Sequence, residues 1–283
     1  MSKYYKLTIS CIGEEAQEEL IGLLHFFSEF ESVNQLEDSI IVSYLSASQD
    51  REELISRLTE SLPDLQFTIE DEPDINWNEK FEKSFQPIRI MNNSWGVRAT
   101  FHPPMNTAKE IIIDPKMSFG TGHHATTQQM MEQMSVLNFQ NKTVWDYGSG
   151  TGILAIMASM LGASWVKAND NEEWAYHNSI ENAALNSCTN LEIALGDIPT
   201  VEVSGLLNRG DQFDVIIANI TKNILLGSTL YIDLYSKPGT ILLLSGFYIE
   251  DISDILDGFK AIGFQQEKQS SMDNWACLRL VKF

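Results

Sequence analysis

The stretch that most constrains this chain is Asp146-Tyr147-Gly148-Ser149-Gly150-Thr151-Gly152. Lys142-Thr143-Val144-Trp145 stands before it, short and rich in apolar and β-branched residues, as in a buried parallel strand. After it, Ile153, Ile156, Met157, Met160 and Leu161 fall on one helical stripe. Three glycines at alternate positions between a strand and a helix bring the backbone close to something, because glycine lacks the Cβ that forbids such an approach. The helix start adds unpaired N–H groups for a polar or anionic ligand group. A nucleotide-containing cofactor is therefore expected at the carboxyl end of that strand. A purely structural strand-to-helix turn is the plainer alternative.

A second acidic element narrows the choice. Asp170 ends another apolar-leaning stretch, Ser164 to Asn169. It lies about twenty residues beyond the glycines, where a carboxylate can accept both ribose hydroxyls. The sixth position of a Gly-x-Gly-x-x-Gly dinucleotide pattern is Ile153 counted from Gly148 and Ala155 counted from Gly150, so that reading survives on spacing alone. No Gly-Lys-Ser/Thr ending follows, which excludes a triphosphate loop. A nucleoside without phosphates fits the constellation better.

Strand and helix patterns keep alternating downstream. Trp174 to Asn186 reads as a helix with Ala175, Ile180, Ala183 and Ala184 inside, and Asn190 to Asp197 as the third strand. At the end of that strand, Gly196-Asp197-Ile198 is either a plain turn or an adenine contact. Phe213 to Ala218 is a fourth strand with Asn219 at its carboxyl end. An amide there can accept from an incoming amine and aim its lone pair, or it can cap a helix. Ile224 to Tyr235 reads as one helix, Lys237-Pro238-Gly239 as a turn, Thr240 to Leu244 as a fifth strand and Ser245-Gly246-Phe247 as a loop. Asp251 to Phe259 is expected to be helical, and Phe264 to Lys268 and Trp275 to Val281 to be strands. The expectation is an α/β domain with helices on both faces of the sheet, over residues 95–283.

The first 72 residues alternate differently: strand, helix, strand, strand, helix, strand, with the clearest strands at Tyr5 to Ile9 and Ser39 to Leu45. That order predicts a ferredoxin-like α+β sandwich. Residues 73–94 read as a linker, in which Trp77, Phe81 and Phe85 recur at helical intervals before Pro87. Net charge is -20, and residues 1–75 hold seventeen Asp/Glu against four Lys/Arg. Such a surface repels nucleic acid and attracts a basic protein partner, or simply keeps the chain solvated. Cys11, Cys188 and Cys277 form neither a disulfide framework nor a metal pattern, and His123-His124 has no third ligand, so no metal site is expected. No run approaches the roughly 18 apolar residues of a membrane span. A cytoplasmic monomer is the expectation.

The motifs also carry a resemblance. Asp146-x-Gly148-x-Gly150-x-Gly152 with Asp170 is similar to the first two motifs of class I S-adenosylmethionine-dependent methyltransferases, and Asp214 to Ile220 to their fourth-strand motif. Ile113 to Thr127, containing Met117-Ser118-Phe119-Gly120-Thr121-Gly122-His123-His124, resembles the signature of the bacterial ribosomal protein L-eleven methyltransferases. The resemblance implies a seven-stranded mixed sheet with S-adenosylmethionine as cofactor. It implies that Asp146, Gly148, Gly150, Gly152 and Asp170 hold the nucleoside and that Asp197 and Ile198 contact adenine. Phe119, Thr121 and Gly122 would lie near the methionine end, with His124 and Thr127 as supporting polar groups. Asn219 would be catalytic as well as close to the cofactor, while Glu172 matches the second acidic position of the class or serves the helix start. The small amino-terminal domain would hold the substrate protein, and the methyl acceptors would be the terminal amine and lysines of ribosomal protein L-eleven. Another protein or a small-molecule amine is the alternative acceptor. Asn219-Ile220-Thr221-Lys222 lacks the Asn-Pro-Pro-aromatic motif of enzymes that methylate adenine or glutamine amides, which argues against those targets.

Overall fold

The computed structural model describes residues 4–10, 20, 30–36, 40–46, 52, 55–56, 59–60, 67–72, 85–91, 93–114, 116, 118–198, 205–208 and 210–283. The chain divides into two compact units, Met1–Phe85 and Gln86–Phe283. In the first, β1 (Tyr4–Ser10), β2 (Phe30–Leu36), β3 (Ile40–Ser46) and β4 (Phe67–Glu72) form a sheet in the order β2-β3-β1-β4. Every neighbouring pair is antiparallel, the strand arrangement of a ferredoxin-like unit. Leu7 and Ile9 point to the buried face, as their alternation requires. Of the two helices expected here, only Leu20 and a few positions between 52 and 60 are described, and all of them are helical. Of the linker helix expected over Trp77, Phe81 and Phe85, only Phe85 is among the described residues, and it is not helical.

The second unit opens with a small sheet of β5 (Ile88–Ile90), β6 (Trp95–Arg98) and β7 (Lys109–Ile112), in which β6 and β7 run parallel. There follow α1 (Ala125–Ser135), β8 (Thr143–Tyr147), α2 (Ile153–Met160), β9 (Trp165–Asp170), α3 (Glu173–Leu185), β10 (Leu191–Leu195) and β11 (Phe213–Asn219). The chain ends with α4 (Lys222–Gly227), α5 (Thr229–Leu234), β12 (Ser236–Tyr248), α6 (Ile252–Lys260), β13 (Phe264–Met272) and β14 (Trp275–Lys282). The main sheet has the order β10-β9-β8-β11-β12-β14-β13. Its first five strands are parallel, and β14 is inserted antiparallel between β12 and β13.

Period-two alternation sends side chains into two cores, one on each face. Val144, Val166, Val215 and Ile217 join the core that holds Ile153, Ile156 and Met130, whereas Trp145, Tyr147, Ile216 and Ala218 join the core with Ile232, Ile255 and Phe259. Trp145 is fully buried, and its indole N–H donates to Asn169 Oδ1 at 2.8 Å, which satisfies the one polar atom of that ring.

Three local expectations are corrected. The single helix over Ile224 to Tyr235 is two, α4 and α5, divided at Ser228, whose hydroxyl donates back to Ile224 O at 2.7 Å. The turn at Lys237-Pro238-Gly239 and the loop at Ser245 to Phe247 both lie within β12, which absorbs them through register shifts against β11 and β14. The buried face of α3 is Ala175, Asn178, Ser179, Asn182 and Ala183, while Ile180 and Ala184 are exposed. Its asparagines are covered because their amides bond the backbone of other elements.

Candidate cofactor and methyl-transfer site

Strand register assembles the site. Tyr147 pairs with Asn169 on one side and Ala218 on the other, so one step further Asp170, Gly148 and Asn219 stand abreast at the carboxyl ends of three adjacent parallel strands. This is where ligands bind on doubly wound sheets. A cleft of about 470 Å³ opens there, lined by Phe119, His124, Gly148, Gly150, Asp170, Asn219, Ile220 and Trp275 among others. It continues into a smaller lobe of about 190 Å³ bordered by Tyr147, Asn169, Gly196 and Asp197 and sharing Gly148, Asp170 and Ile220.

The glycine turn behaves as its spacing predicts, with positive φ at Gly148, Gly150 and Gly152. Its close approaches, however, are first of all to the chain itself. A Cβ on Gly148 would strike the Ile220 side chain, and one on Gly150 would run into the Phe119 carbonyl. The Gly150 N–H donates to Asp170 Oδ2 at 2.8 Å and the Glu172 N–H to Asp170 Oδ1 at 3.0 Å. Each carboxylate oxygen keeps a second lone pair for a ligand hydroxyl.

Asp146 points away from the cleft. It is buried on the α2 face, where Oδ2 accepts from the Ala155 N–H at 3.0 Å and so caps the helix from the preceding strand. Burial pushes its carboxyl up to about 7, against the opposing pull of the Ala155 N–H, and the nearby Asp170 charge adds to the rise.

Asn219 shares a sheet face with Val215 and Ile217 and therefore meets α1. Its amide nitrogen donates to Thr127 Oγ1 at 3.4 Å, and its Oδ1 is buried with no hydrogen-bond partner among the described residues. His124 caps α1: Nδ1 accepts from the Thr126 N–H and lies 2.8 Å from the Thr126 hydroxyl. Its ring meets Phe119 edge-on at 5.2 Å and Trp275 at 4.9 Å, and Trp275 in turn stacks on Tyr248 at 4.2 Å. His123 turns the other way, toward Thr121 and Gln86 O. No cluster of three metal-ligating side chains occurs among the described residues.

Of the residues singled out in the sequence, Phe119, His124, Gly148, Gly150, Asp170, Glu172, Asp197 and Asn219 border the cleft. Asp146, Gly152, Thr121, Gly122 and Ile198 are not on its walls. Gly152 caps α2, Gly122 packs beside Ile88 and Ile153, and Ile198 belongs to the core around Tyr147. Sequence reasoning missed Trp275 as a wall residue, because an antiparallel return strand delivers it from far downstream. Ile224 and Gly246 were missed in the same way; the only signal was that Ile224 follows the strand ending at Asn219 and that Gly246 stands at a register shift within β12.

A doubly wound sheet with an antiparallel seventh strand inserted, a glycine turn after its first strand and an acidic residue ending the next defines a class I S-adenosylmethionine-dependent methyltransferase. The model of the family described as ribosomal protein L11 methyltransferase (PrmA) matches residues 9–282. A ribosomal protein L11 methyltransferase of Porphyromonas gingivalis is 44% identical over 259 residues, covering 89% of this chain and 86% of the relative. That of Phocaeicola vulgatus is 36% identical over 286 residues, 99% of each chain. A solved ribosomal protein L11 methylase from Lactobacillus delbrueckii subsp. bulgaricus, 26% identical, aligns with a TM-score of 0.61 over 70% of this chain and all of that one. This chain belongs to the ribosomal protein L11 methyltransferase family, and S-adenosylmethionine is its cofactor.

Proposed function

We propose that this enzyme methylates amino nitrogens, the terminal amine and lysine side chains, of ribosomal protein L-eleven. The observation that carries the proposal is the unpartnered Asn219 Oδ1, a hydrogen-bond acceptor held at the floor of the cleft with its own amide nitrogen engaged by Thr127. It suits an acceptor that brings N–H groups, and an amine does. The cofactor fits the same cleft: Asp170 is placed for the ribose hydroxyls, Asp197 borders the narrower lobe for adenine, and Phe119 and Gly150 border the wider lobe for the methionine end. When bound, the sulfonium supplies an activated methyl, so the residues around it have mainly to align a nitrogen lone pair and keep water away. Asn219 accepts from the amine and orients it, while Phe119, His124 and Trp275 form a wall of low polarity. Desolvation there lowers the pKa of a lysine, whose ordinary value near ~10.4 would otherwise leave it protonated and without a lone pair.

Residues 95–283 are the catalytic domain in this reading, 1–72 the domain that recognises the substrate protein and 73–94 the linker between them. The names of the relatives support the choice of substrate, and the acidity of residues 1–75 suits a basic, RNA-binding partner. Intact-mass measurement of purified ribosomal proteins, after incubation with enzyme and S-adenosylmethionine, is the test. Mass added in methyl increments to L-eleven is expected, with fragment spectra placing it on amines. Mass added to a different protein, or to none, would replace this assignment.

A further inference from the structure

The polar face of α3 has no place in the chemistry described so far. Asn178, Asn182 and Asn186 stand one helical turn apart on one side of it. Their carboxamides pair with the free edge of the segment that leaves β7. Asn186 accepts from the Ile112 N–H at 2.9 Å and donates to Ile112 O at 2.7 Å, Asn182 accepts from the Asp114 N–H at 3.0 Å, and Asn178 donates to Asp114 O at 3.0 Å. The alternate residue, Ile113, donates its N–H to Arg98 O on the opposite side. Three side chains thus replace a strand neighbour at the root of the loop that carries Phe119.

Asn182 does more than its neighbours. Fully buried, it also donates from Nδ2 to the Thr151 carbonyl at 3.0 Å, inside the glycine turn. Thr151 in turn donates its N–H to Phe119 O at 2.9 Å and its hydroxyl to Gly120 O at 2.5 Å. All three of its polar groups are therefore spent on holding the loop and α3. One carboxamide and one threonine join the loop root, the loop tip and the turn, with no slack between them.

We propose that Asn182 and Thr151 form a latch that fixes the Phe119 loop to the glycine turn, making both positioning residues for cofactor capture. Loss of the Asn182 amide leaves the Asp114 N–H and the Thr151 carbonyl buried and unpaired, and the loop root relaxes to solvate them. A loosened loop is populated in its capturing arrangement only part of the time, and apparent cofactor affinity falls in proportion. The proposal rests on the cofactor lying in this cleft, so the test carries a control for that placement.

Full-length wild type is compared with Asn182→Ala, Thr151→Val and Thr151→Ser. Thr151→Val keeps every backbone contact and loses only the hydroxyl, so it serves where the asparagine variant fails to fold. Amide exchange in residues 118–124, measured without cofactor, is expected to quicken at least about tenfold in Asn182→Ala and Thr151→Val, with β8 still protected. With S-adenosylmethionine varied, KM for the cofactor is expected to rise roughly tenfold while kcat at saturation changes by less than about threefold, and Thr151→Ser to stay near wild type. Asp170→Ala is the control, since its cofactor KM rises if the cleft is the binding site. Unchanged exchange overturns the latch. Faster exchange with unchanged KM, alongside a raised KM in Asp170→Ala, overturns its role in capture. A fall in kcat alone marks a structural role only and also overturns it.

Discussion

Asn219 holds a buried oxygen that bonds to nothing among the described residues. Such a group costs on the order of 1–3 kcal/mol, and it persists where the missing partner is a ligand. Asn219→Ala should therefore lower turnover on an amine substrate by about tenfold or more, ~1.4 kcal/mol of barrier. The denaturation midpoint should stay level or rise, because an orphaned acceptor is removed. Steady-state kinetics and urea melts on one preparation check both halves, and a variant with normal turnover would take Asn219 out of the mechanism. Asp146 makes a different prediction. Its carboxyl stands near 4 in an unfolded chain and at about 7 in the folded one, chiefly through burial. The folded state binds the proton more tightly, so this contribution to stability is complete below the unfolded pKa and lost as pH rises through about 7. Asp146→Asn keeps an acceptor for the Ala155 N–H but does not titrate. Between pH 5 and pH 8 the wild type should lose more stability than Asp146→Asn, as measured by paired denaturant melts. Parallel losses would show that burial of this carboxyl is not what sets the slope.

At the scale of elements, the site is made by loops pressed together at one end of the sheet. Ile220 is caught between Gly148, which faces its side chain, and Gly246, which faces its backbone: a Cβ on Gly246 would lie 2.5 Å from Ile220 O and 2.8 Å from Ile220 N. Backbone on backbone has nowhere to shift except by moving Asn219, and Gly246 also has φ of +95°. Gly246→Ala should lower kcat by roughly tenfold or more, with a smaller effect on cofactor affinity, since Asp170 and the glycine turn belong to other strands. Kinetics together with calorimetry on S-adenosylmethionine distinguish the two, and an affinity loss larger than the kcat loss would contradict the geometry. The helix α3 shows why element-level reading went astray. Asn182 looks like part of a solvent face by composition, but both ends of its amide bond backbone, which removes most of the cost of burying it. α4 ends on Gly227, and the Ser228 hydroxyl that follows bonds back to Ile224 O, so a lone glycine inside an apolar helical pattern marked the break.

For the whole molecule, charge is the dominant long-range property. With a net -20, of which -13 belongs to residues 1–75, the enzyme should draw a basic protein from a distance. Because screening shortens the Debye length from ~10 Å at 0.1 M salt to ~3 Å at 1 M, KM for L-eleven should climb with ionic strength, whereas KM for the cofactor should hardly change. Rates measured across a salt series with each substrate varied in turn would expose a salt-independent KM, which would speak against electrostatic recruitment.

What the sequence determined by itself was local or adjacent in the chain. The glycine turn, Asp170 about twenty residues on, Asn219 at the end of an apolar strand and the alternation of strand and helix are read from neighbours, because backbone geometry and period-two burial act over a few residues. Tertiary structure decided which of these residues face the cleft. Strand register set Asp170, Gly148 and Asn219 abreast, turned Asp146 inward to cap α2 and placed Ile198 in the core. The antiparallel β14 brought Trp275 to His124, and Asn182 of α3 reached across to Thr151 in the glycine turn. Those contacts join residues between about 30 and 150 positions apart, and no periodicity along a chain encodes which distant partner will satisfy a buried polar group.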